Sequence, residues 1–328
     1  MEKKFIIKLS LITIIILVIV LACGLNSISL PGETERTIQP DTIPDNSGEQ
    51  VAGRVSYNMV FEKSLPENVE KVLIYKVVPP EYTRKDIISL GEKFNINSPY
   101  KIKEGENGFS IATDDRTIYA YLFNTGSIEY HNTNRVHTIN PYDIPEKLPS
   151  DEEAIKIATE FLKERDLLPE GAVFTGVTHG KIYTLVNESE DTVDWEDVQV
   201  WYGRILNGME VEGTKISIDV GGGGDIIDFY SNWRTYEPYK ELPVKSPGKA
   251  FEELKGKGVY VGMNSEDSKV SIDEAYLAYH SLPGAYTEDY LQPVWVFKGN
   301  VMSDDKAVMD VVQYVPALAE VPKELTSK

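Results

Sequence analysis

Two stretches of the 328-residue chain place a hydroxyl three residues before an amine. These are Ser246-Pro-Gly-Lys249 and Ser303-Asp-Asp-Lys306, and S-x-x-K is the spacing in which a lysine can take the proton of a serine nucleophile. The companion S-D-N and K-T-G elements are missing, as is G-x-S-x-G. Ser246 followed by proline is also what a helix start asks for, a side-chain cap and then a residue with no amide to satisfy. The four histidines, His131, His137, His179 and His280, form no H-E-x-x-H pair. His280 falls at the end of a predicted helix, where an imidazole suits the helix dipole. Gly221 to Gly224 has the flexibility of a phosphate cradle, but the strand-like D-I-I-D-F-Y follows it instead of a helix with Lys and Ser or Thr, so it reads as a turn. Glu188, Glu190, Asp191, Asp194, Glu196 and Asp197 offer hard oxygen ligands that could take Ca²⁺ weakly. Their spacing fits no EF-hand loop, and a solvated acidic loop is the expectation. Asn187-Glu188-Ser189 is a glycosylation sequon if the host modifies exported chains. No catalytic residue, metal ligand or cofactor is assigned from these patterns.

Aromatic residues are the remaining candidates. Tyr119, Tyr121, Trp201, Tyr202, Tyr230, Trp233, Trp295 and Phe297 fall on predicted strands, where most aromatics pack across a sheet. Trp201, Arg204 and Trp233 are singled out as a partner-binding face, because Trp and Arg are enriched where one protein grips another.

Charge narrows the partner. With 33 Lys and Arg against 52 Asp and Glu, the net charge is -19, which repels a phosphate backbone and argues against nucleic acid. A single cysteine excludes a disulfide framework and any multi-cysteine metal site. Its position is informative. Lys3, Lys4 and Lys8 flank a start that leads into the apolar stretch Leu9 to Ala22, and Val20-Leu21-Ala22-Cys23-Gly24 follows at once. This run resembles the lipobox of bacterial and archaeal lipoproteins, and the resemblance implies lipidation of Cys23 and removal of residues 1–22. The alternative is an uncleaved signal anchor from Leu9 to Leu25 with its lysines in the cytoplasm. Both put the body on the extracytoplasmic face of the cell membrane. Residues 23–54, rich in Pro, Ser, Thr, Gly and acids without an apolar period, read as a flexible tether.

Past the tether, helical and strand patterns alternate. The spacing predicts a helix from Thr83 to Asn95 and strands over Gly108–Thr113, Thr117–Phe123 and Ser127–Asn132. Ser150-Asp-Glu-Glu153 is a capping box, with Ala154, Ile157, Ala158, Phe161 and Leu162 as one apolar face. Strands over Asp197–Leu206, Thr214–Val220 and Asp225–Trp233 follow as a meander. A helix opens at Ser246-Pro247, another at Ser271 with Ala275, Leu277, Ala278 and Leu282 to pack, then strands over Leu291–Lys298 and Ala307–Val315. The expected class is α+β, with helix-plus-antiparallel-meander modules in units 55–145, 146–240 and 241–328.

The residues S-D-E-E-A-I-K-I-A-T-E-F-L (150–162), V-W-Y-G-R-I-L-N-G-M-E-V-E-G-T-K-I-S-I-D-V (200–220) and D-I-I-D-F-Y-S-N-W (225–233) together resemble a PepSY-type module. The block I-D-E-A-Y-L-A-Y-H-S-L-P-G-A-Y-T-E-D-Y-L-Q-P-V-W-V-F-K-G (272–299) is similar to the C-terminal part of YycI/YycH-type extracytoplasmic regulators. These resemblances imply a protein without an active site that modulates a sensor kinase or an exported peptidase. The expectation is therefore a membrane-tethered, non-enzymatic protein that binds a protein or peptide at the cell surface. A lipid-anchored hydrolase and a structural surface lipoprotein are the other classes. Replacing Cys23 with Ser should leave an unprocessed, unlipidated precursor. A wild-type chain whose mass still includes residues 1–22 would instead establish the signal anchor.

Overall fold

The computed structural model describes residues 6–8, 54–56, 58–134, 147–186, 189–261, 269–303, 305–322 and 325, with the side chains of 6–8, 54–55, 181–196 and 260 excepted. The apolar stretch, Cys23 and nearly all of the tether lie outside the described residues, as do His137 and the Asn187 and Glu188 of the sequon. Among the described residues no helix is long and apolar enough to cross a membrane.

After Ile6–Lys8, the strands and helices in chain order are β1 (Arg54–Ser56), β2 (Met59–Phe61), β3 (Lys71–Val78), α1 (Arg84–Lys93), β4 (Tyr100–Gly105), β5 (Gly108–Thr113), β6 (Ile118–Phe123) and β7 (Ser127–Asn132). Then come α2 (Asp151–Glu164), β8 (Ala172–Val186), β9 (Ser189–Leu206), β10 (Met209–Val220), β11 (Ile226–Asn232) and β12 (Thr235–Pro243). The chain closes with α3 (Pro247–Lys257), β13 (Val259–Val261), β14 (Lys269–His280), β15 (Tyr290–Ser303) and β16 (Lys306–Pro316). The expected α+β class of repeated helix-plus-meander modules is not what forms. A large mixed β-sheet predominates, and three helices stand beside it among the described residues. The chain divides into two compact units. One is residues 1–34, 79–204 and 215–233; the other is 35–78, 205–214 and 234–328.

In the first unit, β8 and β9 form a long hairpin, β9 pairs with β10, and β10, β11, β7, β6, β5 and β4 follow as antiparallel neighbours. Both of its helices pack on one face of this sheet. The caps anticipated from sequence start them: Thr83 N–H donates to Asp86 Oδ2 at 2.6 Å, and Ser150 N–H to Glu153 Oε2 at 2.9 Å. Phe94, just past α1, stacks on Tyr130 with ring centroids 4.2 Å apart and also meets Phe229 and Phe161 at 5.4 and 5.8 Å. Gly91 lets α1 approach the sheet, since a β-carbon there would lie 2.7 Å from Ile111 Cδ1. On α2 the fully buried positions are Ala154, Ala158 and Leu162, four apart, while Ile157 and Phe161 of the expected face are half-buried.

In the second unit, β15 runs between β14 and β16 and pairs at its start with β3, which in turn pairs with β12. Two parallel pairings, β14 with β2 and with the first part of β10, make the sheet mixed. Helix α3 packs here through Phe251, whose ring lies 5.7 Å from Phe297 and 5.6 Å from Phe61. Ser246 accepts from Lys249 N–H as the N-cap of α3.

The helix expected from Ser271 is strand β14. Asp273 is an extra residue in its pairing with β15, so Ile272 faces Gly299 and Glu274 faces Lys298. Val270 and Ile272 before the bulge, and Ala275, Leu277 and Tyr279 after it, consequently reach the same core. Apolar residues three apart across the bulge imitate a helical period. His280, expected at a helix end, is at a strand end, 5 % exposed and 5.0 Å from the Tyr314 ring, and burial holds its pKa down at about 4.

Truncating the fully buried Leu162 to Ala should cost roughly 2–5 kcal/mol. Lys156→Ala, which loses only an exposed 4.0 Å ion pair with Glu160, should stay within about 0.5 kcal/mol. Thermal melts of the two variants check this, and equal melting temperatures would misplace α2.

Candidate functional site

Because side chains alternate across a strand, the register that buries Ile218 against Phe229 and Phe229 against Tyr130 lines up polar side chains on the face turned away from the helices. One row crosses the strands as Thr178, Gln199, Asp219, Asp228, His131 and Tyr119. Thr178–Gln199, Asp219–Asp228, Asp228–His131 and His131–Tyr119 are directly paired positions. The next row holds Trp201, Ser217, Tyr230, Glu129 and Tyr121, with Ser217–Tyr230, Tyr230–Glu129 and Glu129–Tyr121 paired.

Hydrogen bonds tie the rows together. Trp201 Nε1–H donates to Thr178 Oγ1 at 2.7 Å, Thr178 Oγ1–H to Gln199 Oε1 at 3.0 Å, and Gln199 Nε2–H to Asp219 Oδ2 at 3.3 Å. His131 Nδ1 bonds the Asp228 carboxylate, and its Nε2 lies 3.7 Å from Glu129 Oε2. Burial alone would push His131 down. The hydrogen bonds to Asp228 and Glu129, with the charges of both carboxylates, outweigh it and raise the pKa to about 9. Tyr119, its ring 4.9 Å from His131, is pushed up to about 12, by burial first and then by Tyr121, Asp228 and Glu129. A histidine that is a cation at neutral pH, with each nitrogen facing a carboxylate, is a counter-ion and not a general base. Lys215 extends its ammonium over Trp201, 5.0 Å from the ring centroid, and lies 6.0 Å from that of Tyr230.

The three residues singled out from sequence are not on one face. Arg204 sits over the Trp233 ring at 4.8 Å, and Trp233 packs against the core that the helices cover. Trp201 is on the other side, among the polar rows. The adjacent Tyr202 marks the boundary, since its hydroxyl is 2.7 Å from Thr159 Oγ1 on α2. His131 was visible only as one of four histidines. Glu129, Asp219, Asp228, Gln199 and Lys215 carried no motif, because strand pairing alone brings them together.

The remaining sequence candidates take structural roles. The acidic run is not a loop: strand β9 begins at Ser189, and Asp197 is buried in the hairpin with its carboxylate accepting Gly180 N–H at 3.1 Å. Side chains 188–196 lie outside the described residues. Ser303 and Lys306 face each other at the β15–β16 turn. Gly222–Gly224 is a single 3₁₀ turn in which Gly223 and Gly224 take positive φ, 73° and 84°. His179 Nε2 is 3.0 Å from Asp151 Oδ1 at the start of α2. Among the described residues no three His, Cys, Asp or Glu side chains could hold a metal ion.

The raised pKa of His131 carries a sign. Its contribution to stability is full below about pH 6.5, the unfolded value, and is lost as pH rises through about 9. His131→Gln should therefore lower the melting temperature most near pH 6, with the gap to wild type narrowing by pH 9.5. A gap independent of pH would show that His131 is neutral in the fold.

No protein family matches the sequence, and no curated protein matches it. Among solved structures, an uncharacterized protein from Eubacterium rectale is similar at 14% identity and a TM-score of 0.44, over 80% of this chain and 88% of that one. The C-terminal domain of YpeB from Bacillus megaterium is similar at 15% identity and a TM-score of 0.34, over 72% and 98% respectively. With both TM-scores under 0.5, neither alignment carries an argument about function.

Proposed function

We propose that this chain is a non-enzymatic binding protein, held at the extracytoplasmic face of a membrane by its N-terminal segment, that takes up a basic stretch of a protein partner. The observation that carries the reading is the pair of rows on the first unit's sheet. The partly exposed Asp228 and the half-buried rings of Trp201, Tyr230 and Tyr121 lie on one rigid face, where the buried Glu129 and Asp219 add negative charge and His131 offsets only part of it. Fixed strands hold these groups without a large ordering cost on binding, and aromatic rings next to carboxylates match Lys and Arg side chains. The overall charge of -19 steers a cationic segment inward and repels an acidic one. The partner's class, a sensor kinase or an exported peptidase, is suggested only by the resemblance of 150–162, 200–220, 225–233 and 272–299 to PepSY and YycI/YycH sequences.

Fluorescence anisotropy with the full chain in detergent micelles tests this. Lysine- and arginine-rich peptides should bind, acidic peptides of equal length should not, and affinity should fall as salt rises. Asp219→Asn with Asp228→Asn should weaken binding about tenfold or more. Equal affinity for basic and acidic peptides would sink the reading. Turnover of a peptide or ester that is abolished by one polar substitution at unchanged melting temperature would replace it with a hydrolase.

A further inference from the structure

Lys215 is the unusual residue of the binding face. It is an exposed residue between the buried Thr214 and Ile216, and its ammonium rests on aromatic rings. Among the described residues no ion pair holds it, and loss of solvent lowers its pKa with no neighbouring carboxylate to oppose the shift. The main ring beneath it is fixed, because the indole of Trp201 is oriented by the chain of bonds through Thr178 and Gln199 to Asp219. This is a built cation seat with the protein's own cation in it. A lysine held by rings alone at an accessible site is weakly held.

We propose that Lys215 is an internal occupant of this seat, and that a cationic side chain of the basic partner, an arginine above all, displaces it. This rests on the preceding reading and names the group that is recognised. Arginine suits the seat better than the resident lysine. Its planar guanidinium stacks on an indole and is less strongly hydrated than an ammonium. The rings themselves make the seat, since Glu129 and Asp219 are buried and already engaged by His131 and Gln199. The flexible Lys215 stem lets the ammonium swing out to solvent. The seat is thereby kept from collecting stray apolar groups and opens to a stronger cation.

The test uses the full chain in detergent micelles and a fluorescein-labelled hexa-arginine peptide. Lys215→Met keeps the length of the stem and removes the competing charge, and should bind the peptide about fivefold or more tighter than wild type. Lys156→Met removes an equal charge from an exposed position on helix α2, on the other side of the sheet, and should change affinity much less. That comparison separates vacating the seat from simply lowering net charge. Adding Trp201→Leu to Lys215→Met should erase the gain, with melting temperatures confirming that the variants fold. If Lys215→Met binds no tighter than wild type, or no tighter than Lys156→Met, the internal-occupant proposal is overturned even where basic peptides still bind. If wild type ignores hexa-arginine and Lys215→Met takes it up, the seat is confirmed, and the reading of the unmodified chain as a ready binder fails instead.

Discussion

Asp219 and Asp228 stand directly opposite each other on neighbouring strands, an arrangement that is unfavourable by itself. It is imposed from the other side of the sheet. The register that sets Ile218 against Phe229 beneath the helices has a period of two, so the carboxylates must meet on the reverse face, and a one-residue slip would bury them in the core. The rest of that face answers this constraint. Gln199 donates to Asp219, Asp228 bonds His131, and the imidazole is kept charged at neutral pH by Asp228 and Glu129 together. The unit holds its acidic face together with a buried cation, and the aromatic seat at Trp201 is braced by the same network.

The second unit meets a comparable demand differently. Arg234 and Glu288, 1 % and 3 % exposed, form a 2.9 Å pair. Burial pushes the Glu288 carboxyl up to about 7. Removing both charges from water is expensive, and a pair alone seldom offsets it. Here the guanidinium also donates to Ser281 Oγ and to the carbonyls of Leu282, Pro283 and Tyr286, while Glu288 accepts from Ser281 Oγ and Leu282 N–H. These bonds fix the connection between β14 and β15 in one conformation.

Local chemistry was legible in the sequence where a few neighbouring residues decide the outcome. Thr83, Ser150 and Ser246 announce their helices because a cap is a short-range hydrogen bond, and Asn207-Gly208 and Gly221–Gly224 announce turns because few residues accept their backbone angles. Strand β14 was hidden because both its faces are buried and its period breaks at Asp273. The start of β9 was hidden because its acids looked like a solvated loop. The two polar rows were hidden because their members come from six strands and only the register unites them. One signal was present from the start: Trp201 and Arg204 are three apart on a strand, so they point to opposite faces.

The bulge at Asp273 works as a phase shifter. Strand β15 keeps a single alternation through Leu291, Trp295, Phe297 and Val301, whereas β14 changes from even to odd positions at its extra residue so that both stretches serve one core. The room for that shift comes from Gly299, where a β-carbon would lie 2.0 Å from Ser271 O. The two positions are therefore bound in descent. A lineage that straightened the bulge with residue 273 still in place would turn Tyr276, Ala278 and His280 inward in one step, whereas one that deleted Asp273 would keep Ala275, Leu277 and Tyr279 on the core side of a regular strand. A side chain at 299 needs the bulge gone first, so that position should vary only where residue 273 is absent.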